Sequence, residues 1–255
     1  MSDPTSRFST RVANYVRYRP GYPVALVPRL LERGTLRPGD RIADLGAGTG
    51  LLAQVFADAG HAIDAIEPNA PMREAGERSL QDNASVRFID GRAEASTLRA
   101  ASVDLVIAGQ AFHWFEVAPT LVELRRILKV GGRVALIWNV RDEEGDPFMA
   151  EYEQLLARHG DGYRNVGAHG VDAVTRRQLF GASGGRFDRL PNAQRLDREG
   201  LVGRVLSSSY APEAGSDGHE AMVGALHLLF EKYACDNQVT LRYRTEVYHD
   251  VLETV

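Results

Sequence analysis

The segment DLGAGTG, residues 44–50, combines one acidic residue with three glycines, and this combination points to a ligand-binding turn. Glycine permits positive φ angles and lets the backbone approach a ligand closely. The segment lies between a strand-like apolar run and a helix-like stretch, so it leads into a helix N-terminus, where backbone N–H groups lack intrahelical partners. The candidate ligand-binding residues of this turn are Asp44, Gly46, Ala47, Gly48 and Gly50.

Two acidic side chains indicate which ligand such a turn would hold. The spacing G-x-G-x-G lacks the third glycine of the dinucleotide-binding pattern, and Asp44 would repel a pyrophosphate at this place. Glu67 follows the second apolar run, where a carboxylate can accept hydrogen bonds from both ribose hydroxyls. The pattern therefore favours a cationic or hydrogen-bond-donating nucleoside. A nicotinamide-dependent oxidoreductase and a non-catalytic nucleoside-binding protein remain as alternatives.

The elements that must position these residues alternate between short apolar runs and helical stretches. Nearly continuous apolar runs are expected for parallel strands covered by helices on both faces. The alternation predicts an α/β fold: a doubly wound, mostly parallel seven-stranded Rossmann-like sheet with helical lid insertions. The predicted strands are 41–45, 62–66, 86–90, 103–108, 133–138, 187–196 and 239–248. The predicted helices are 51–58, 71–80, 119–130, 199–206 and 219–233, with Asn69 as an N-cap and Gly131-Gly132 as a helix stop.

Composition excludes several functional classes. The 255 residues carry a net charge of −4, which argues against a broad polyanion-binding surface, so no nucleic-acid partner is expected. No apolar run approaches the ~18 residues of a membrane span, and the N-terminus lacks the apolar core of a secretory signal. We therefore expect a cytoplasmic protein without membrane association. The single cysteine, Cys235, precludes an intrachain disulfide and a cysteine zinc cluster, and no metal is expected.

Four motifs, in order, resemble those of class I S-adenosylmethionine (SAM)-dependent methyltransferases. The turn at 44–50 resembles the first motif, and EPN at 67–69 resembles the acidic ribose motif. FIDGRAE at 88–94 resembles the adenine motif, and LRRILKVGG at 124–132 resembles the helix and turn that lead into the fifth strand. The resemblance implies SAM as cofactor and methyl transfer as the reaction.

Three further segments are similar to the type-11 branch, which includes trans-aconitate methyltransferase-like proteins. They are YVRYRPGYP at 15–23, QAFHWF at 110–115 and IWN at 137–139. This resemblance implies a small-molecule acceptor, methylated on an oxygen of a carboxylate or a hydroxyl, and a monomer or homodimer.

The resemblance also implies how the cofactor is held. Glu67 would accept from the ribose, the N–H of Ala93 would bind the adenine, and Glu94 would accept from its exocyclic amine. Arg92 departs from the family pattern, which often has Asp there. Arg19 suits the methionine carboxylate as a bidentate partner, with an ion pair that docks the N-terminal segment as the alternative. The implied cofactor-binding residues are Tyr15, Arg19, Asp44, Gly46, Ala47, Gly48, Gly50, Glu67, Pro68, Met72, Arg92, Ala93, Glu94, Ala108, Gly109 and Gln110.

The acceptor side of the site centres on His113, which follows the C-terminal end of the fourth strand, where such sheets bind ligands. An imidazole at this place can act as general base for a hydroxyl or amine, or orient a substrate carboxylate. A packed, structural histidine beside two aromatic residues is the alternative. The other candidate acceptor-binding residues are Tyr18, Tyr22, Trp114, Trp138, Asn139 and Tyr210.

We expect residues 1–255 to form a single methyltransferase domain. Its parts would be an N-terminal helical cap (1–40), a SAM-binding core (41–141), a helical insertion (142–186), and late strands with lid helices (187–255).

Overall fold

The central feature of the computed structural model, which describes residues 12–160, 163 and 170–253, is a seven-stranded sheet. Its strands are β1 (Arg41–Leu45), β2 (Ala62–Ile66), β3 (Val86–Ile89), β4 (Val103–Gly109), β5 (Leu128–Arg141), β6 (Arg186–Leu196) and β7 (Val239–Val251). They lie in the order β3-β2-β1-β4-β5-β7-β6. Strands β1 to β5 pair in parallel, and β7 is antiparallel to both of its neighbours. The predicted doubly wound, mostly parallel sheet is confirmed.

The order of the strands fixes where a ligand can bind. The chain runs outward from β1 through β2 to β3 and then returns to place β4 on the other side of β1. The two connections leave the sheet in opposite directions at this switch point, and a crevice opens beyond the carboxyl ends of β1 and β4. The glycine-rich turn follows β1 directly, so it borders that crevice.

Helices flank the sheet and build a separate lid. Their bounds are α1 (Val12–Tyr18), α2 (Leu26–Glu32), α3 (Leu51–Asp58), α4 (Ala70–Ser79), α5 (Val117–Ile127), α6 (Pro147–His159), α7 (Ala173–Phe180), α8 (Arg198–Leu206) and α9 (Asp217–Tyr233). Apolar side chains from α2 and α3 pack on one face of the sheet, and those from α5 and α7 pack on the other. Residues of α6, α8 and α9 form a third core with the ends of β6 and β7. No helix in the described ranges is long and apolar enough to cross a membrane.

The sequence predicted most of these bounds, and local chemistry explains why. Helix α3 has the predicted bounds, and Gly50 precedes it in a left-handed conformation with φ +81°. Helix α4 begins after Asn69, whose side-chain oxygen accepts from the Met72 amide at 3.0 Å. Both late strands and both late helices are present, within a few residues of their predicted ends.

The end of α5 is a correction. The predicted helix over 119–130 stops at Ile127, and Leu128 already belongs to β5, where it pairs with Val103. The glycine pair therefore does not stop a helix. It lies in a bulge of the strand, with Gly131 at φ +72°. Pairing with β4 overrides the local signal that the glycines give.

Gly76 on α4 provides a test of this packing, because a Cβ there would lie 2.4 Å from the Phe88 ring on β3. Gly224 on α9 is the matched control, since nothing lies within 4 Å of its Cβ position. We expect Gly224→Ala to raise the free energy of unfolding by about 0.5–1 kcal/mol, as helix propensity alone dictates. Gly76→Ala should lower it by about 1–3 kcal/mol through overpacking. Urea unfolding measures both; equal shifts would contradict the packing of α4 on β3.

Candidate functional site

The turn after β1 has a backbone that only glycine accommodates without strain. Gly46, Gly48 and Gly50 have φ angles of +69°, +58° and +81°. A Cβ at Gly46 would also lie 2.7 Å from the Ala111 side chain. The glycines thus serve the tight strand-to-helix connection and keep the crevice open at the same time.

The amide groups of the turn are already hydrogen-bonded within the protein. The N–H groups of Gly46 and Ala47 donate to the Ile66 carbonyl at 2.9 and 3.0 Å, and Gly48 N–H donates to Glu67 Oε2 at 2.8 Å. A phosphate would have to displace these bonds and approach the Glu67 carboxylate. The turn is therefore poorly suited to a pyrophosphate, which binds helix N-termini through free amides.

Two buried carboxylates define the electrostatics of the turn. Asp44 is 1% exposed, and neither of its oxygens makes a hydrogen bond of good geometry with a described residue, although the Ala53 amide lies near enough to lower its pKa. Burial raises the pKa of Asp44 well above its usual value, and the nearby Glu67 raises it further. Glu67 Oε1 accepts from the Asn69 amide at 2.8 Å, and burial raises the Glu67 pKa as well. Each Glu67 oxygen has one bond to an amide and a lone pair left for a ligand hydroxyl.

A small cavity lies over the turn. The N-terminal segment supplies its roof through Tyr15, Arg19 and Tyr22, and the turn and the ends of β4 and β5 supply its floor. The tyrosine ring of Tyr15 stacks against Arg19, whose guanidinium carbon lies 4.7 Å from the ring centre. The cavity is thus bordered by a cation on one side and by the Asp44 carboxyl on the other.

Arg19 has no carboxylate partner within the part of the chain that the structure describes. Its Nη2 donates to the Ser207 carbonyl at 3.0 Å, and its buried Nε has no partner there. Burial lowers the pKa of the Arg19 guanidinium, and the charge of Arg204 lowers it further. The docking ion pair considered as an alternative is not formed, so the guanidinium remains available to an anion.

Comparisons with known proteins agree with this geometry. Residues 43–136 match a family described as a methyltransferase domain. This part of the chain, less than half of its length, is therefore similar to a methyltransferase domain. An uncharacterized methyltransferase of Mycobacterium tuberculosis is 34% identical over 163 residues, which is 64% of each chain. A malonyl-[acyl-carrier protein] O-methyltransferase of Erwinia pyrifoliae is 34% identical over 109 residues, 42% of this chain and 40% of its own.

The fold is shared with solved structures. A putative type II methyltransferase from Anaeromyxobacter dehalogenans matches 91% of this chain and 97% of its own, with a TM-score of 0.61 and 24% identity. S-adenosyl-L-methionine is the cofactor of the methyltransferase domain. The residues present fit it, because orphaned carboxyl oxygens at Asp44 suit an ammonium group, and occupied turn amides leave no phosphate cradle.

The predicted adenine motif lies beside the turn with its own internal contacts. Ala93 is buried, and exposed Arg92 forms a one-residue bridge with Ala95. Glu94 Oε1 accepts from the Glu116 amide at 2.9 Å, next to the start of α5. Of the other implied cofactor residues in this part, buried Met72 has its terminal methyl group beside Gly48, and Pro68 is half-buried. The contacts of these residues with adenine stay a prediction.

The end of β4 forms part of the cavity floor. Ala108 is buried, and Gly109 allows the Tyr22 hydroxyl to approach so closely that a Cβ would lie 2.3 Å from it. Gln110 has φ +57°, and its Nε2 donates to the Asn139 carbonyl at 3.2 Å. Gly109 and Gln110 thus line the cavity, whereas Ala108 packs in the core, and the contacts of all three with the cofactor stay a prediction.

His113 lies in a short 3₁₀ turn, Phe112–Trp114, beyond β4. Its ring is exposed and tilted against Trp114, with ring centres 4.7 Å apart, and Trp114 is 37% exposed. Neither residue lines the cavity over the glycine turn. Catalysis by His113 therefore stays a prediction.

Two of the residues predicted for the acceptor side lie away from the cavity over the glycine turn. Trp138 is fully buried in the core, on the strand face opposite Asn139, with its ring edge against Tyr248 at 5.9 Å. The Tyr18 hydroxyl donates to Glu199 Oε1 at 2.7 Å. The Tyr18 ring fills the space that a Cβ at Gly203 would need, so Tyr18 packs α1 against α8.

Asn139 lines the cavity, but its side-chain amide is hydrogen-bonded to other segments of the protein. Its Nδ2 donates to the Gly21 carbonyl at 3.0 Å, and its Oδ1 accepts from Thr245 at 2.6 Å and from Asn192 at 3.1 Å. The amide therefore fastens the N-terminal segment to β5, β6 and β7. Tyr210 is buried in the lid core, with its ring 4.9 Å from that of Tyr163.

Some site residues carried no signal in the sequence. Thr49, Leu51 and Leu52 line the cavity, and the buried Thr49 hydroxyl has no partner among the described residues. Arg204 on α8 does not line the cavity, but it lies close enough to Arg19 for its charge to lower the Arg19 pKa. Positions 49, 51 and 52 adjoin the glycine motif, so proximity to the motif was the one available clue. The described residues contain no cluster of three or more metal-binding side chains.

The buried carboxyl of Asp44 gives a pH-dependent prediction. Its raised pKa means that the folded protein holds a proton which the unfolded chain releases. The resulting stability is full below the unfolded pKa and is lost as the pH rises through the folded pKa. Asp44→Asn should therefore raise the thermal midpoint relative to the wild type by an amount that grows from pH 4 to pH 9.

The same substitution should weaken S-adenosylhomocysteine about 10- to 100-fold, because a neutral amide cannot ionise to pair with the ammonium group of the ligand. Thermal scans across pH and calorimetry at pH 8 provide the two measurements. Asp82→Asn is the control, since Asp82 is exposed and lies outside the cofactor motifs. A pH-independent stability difference would refute the role given to the Asp44 proton.

Proposed function

We propose that the whole chain transfers a methyl group from SAM to a carboxylate or hydroxyl oxygen of a small organic acceptor. One observation carries the proposal: Asp44 and Arg19 border the same cavity, yet they form no ion pair. A buried carboxyl group and a buried guanidinium on one cavity suit a ligand that carries an ammonium group and a carboxylate, because the ammonium favours the ionised form of Asp44. The methionine part of SAM has both.

The proposal extends beyond the matched domain. The chain matches about 64% of the length of its curated mycobacterial relative, so the relative's name does not transfer directly to the whole protein. The E. pyrifoliae relative is named an O-methyltransferase, and this name supports oxygen as the accepting atom. We also propose that the four segments expected from the sequence act as one cytoplasmic domain of the type-11, trans-aconitate methyltransferase-like branch.

Methyl transfer of this kind depends on orientation more than on acid–base chemistry. Bound SAM supplies a methyl group on a sulfonium, which is already an activated electrophile. The chain's part is to hold the acceptor oxygen in line with that methyl group, where orientation reaches effective molarities of ~10⁵–10⁸ M. The roof residues Tyr15 and Tyr22 exclude water from the cavity, and Glu67 fixes the ribose.

Two other functions compete with this one. A nicotinamide-dependent oxidoreductase would need the turn amides for a pyrophosphate, and those amides are bonded to Ile66 and Glu67. A non-catalytic SAM-binding protein would share the cavity but would not turn over any acceptor. Methyl transfer from labelled SAM to a panel of acids, phenols and amines separates this alternative from the enzyme.

Glu67→Ala tests the nucleoside site. The substitution removes a partner of the ribose hydroxyls and the brace of Gly48, so S-adenosylhomocysteine should bind about 100-fold more weakly. Calorimetry with S-adenosylhomocysteine and with NAD measures the effect and the preference. Glu74→Ala, on the exposed side of α4, should leave both unchanged. Tighter binding of NAD by the wild type would overturn the proposed function.

His113→Ala tests the acceptor type. A neutral hydroxyl benefits from a general base by ~10²–10⁴-fold, whereas a carboxylate acceptor needs none. We expect the variant to lose this factor in kcat for hydroxyl acceptors, with S-adenosylhomocysteine affinity intact. His219→Ala, near the exposed start of α9, is the control. Unchanged turnover of every hydroxyl acceptor would remove His113 from catalysis.

A further inference from the structure

A group of buried arginine and tyrosine side chains lies where the lid meets the end of the sheet. We call it the lid arginine cluster: Arg19 after α1, Arg141 on β5, Tyr152 on α6, Arg204 on α8, Tyr210 after α8, and Tyr243 on β7. Arg204 is 4% exposed, and Tyr152, Tyr210 and Tyr243 are all buried. Five separate segments of the chain thus converge on a sealed region of high positive charge.

The cluster holds more positive charge than the described residues neutralise. Arg141 forms an ion pair with Glu153. Within the described ranges, neither Arg19 nor Arg204 has a carboxylate within ion-pair distance. A guanidinium stays charged at all ordinary pH values, and a buried charge without a counter-charge costs several kcal/mol. Two anions from outside the protein would balance the two unpaired arginines.

Arg204 is held in place by neutral groups that leave it able to bind an anion. Its Nε donates to the Tyr243 hydroxyl at 3.2 Å, and its Nη1 donates to the Ser208 hydroxyl at 3.0 Å. Neither of these partners is a carboxylate. The buried Tyr152 hydroxyl in the same cluster has no hydrogen-bond partner among the described residues. A fixed guanidinium beside an unpartnered hydroxyl offers two donors to one oxyanion.

The state of Tyr210 agrees with a strongly positive environment. Burial raises the pKa of its hydroxyl, but the charges of Arg141 and Arg204 outweigh burial and lower the pKa below its usual value. The hydroxyl also lies 3.5 Å from Arg141 Nη1. An anion at this place would meet stabilising charges on more than one side.

The two anions have different sources. Arg19 lines the cavity over the glycine turn, so it is placed for the carboxylate of the cofactor. Arg204 lies on the lid side of Arg19. The Arg19 guanidinium donates to the Ser207 carbonyl, which belongs to the turn that follows α8. The lid side of the cofactor cavity is where an acceptor has to enter. The second anion therefore belongs to the acceptor.

We propose that the acceptor carries an oxyanion, separate from the methyl-accepting oxygen, that binds Arg204 together with the hydroxyls of Tyr152 and Tyr210. The proposal rests on the methyltransferase function proposed above. The oxyanion is a recognition group, because hydrogen bonds from a guanidinium would weaken the reacting oxygen as a nucleophile. Carboxylate and phosphate monoester groups share the required chemistry.

Binding to the enzyme saturated with S-adenosylhomocysteine tests the proposal. The probes are 4-hydroxybenzoate, 4-hydroxyphenyl phosphate and the neutral 4-hydroxybenzamide, which differ only in the recognition group. We expect at least one charged probe to bind the wild type about 30-fold or more tightly than the amide, and Arg204→Gln to abolish this preference. The stronger of the two charged probes identifies the oxyanion. Arg204→Lys should keep part of the preference.

Controls separate the possible failures. Arg198→Gln alters an exposed arginine of the same helix and should leave the preference unchanged. S-adenosylhomocysteine should bind every variant with the wild-type affinity, which shows that each variant is folded. Methyl transfer to the probe hydroxyl should show the same charge preference in KM, with little change in kcat.

Two results would count against the inference. A wild type that binds the three probes equally, or an Arg204→Gln variant that retains the preference, overturns the acceptor oxyanion while the proposed function stands. Failure of the wild type to bind S-adenosylhomocysteine overturns the proposed function itself.

Discussion

The hydrogen bond from Gly48 N–H to the Glu67 carboxylate is the contact on which the site depends. It joins the turn after β1 to the end of β2, and the Ile66 carbonyl adds two more bonds to the amides of Gly46 and Ala47. The neighbouring strand, rather than a ligand, therefore fixes the shape of the turn. A turn that is already formed loses little conformational entropy when the cofactor binds. The same bonds also make the turn unsuited to binding a phosphate, because the amide donors that a phosphate requires are already hydrogen-bonded.

The half of the sheet without cofactor motifs closes the site. Asn139 on β5 bonds to the Gly21 carbonyl and to Thr245 on β7, and Asn192 on β6 bonds to the same carbonyl. Strands β6 and β7 thus hold the N-terminal segment, with Arg19 and its neighbouring tyrosines, over the glycine turn. The position of one cavity wall depends on residues that are about 120 to 220 positions later in the chain.

The parts of the structure that could be predicted are those governed by local chemistry. Helix α3 follows from a glycine turn and a helical apolar pattern, and Asn69 caps α4 as expected. The predictions that failed are those in which long-range strand pairing overrode the local sequence pattern. Leu128 leaves α5 to pair with β4, and the alternation of β5 places Trp138 on the face away from the cavity. Arg204 could not be identified as a site residue, because an arginine in a helix is ordinarily exposed.

Several buried polar groups have no hydrogen-bond partner among the described residues, and this absence has different consequences for stability and for ligand binding. In the core, such groups would only cost free energy, since each has lost its water without gaining a hydrogen bond. At the cavity, the Asp44 oxygens and the Thr49 hydroxyl lie at the glycine turn and Arg19 Nε lies in the roof, while the Tyr152 hydroxyl lies in the lid core. Neighbouring groups of opposite character would normally pair during folding. The fold keeps them apart, because the strand end holds the acid while the roof and lid hold the donors. A ligand that enters between the two sets can form hydrogen bonds with both. The free energy of those bonds then contributes to ligand binding rather than to folding.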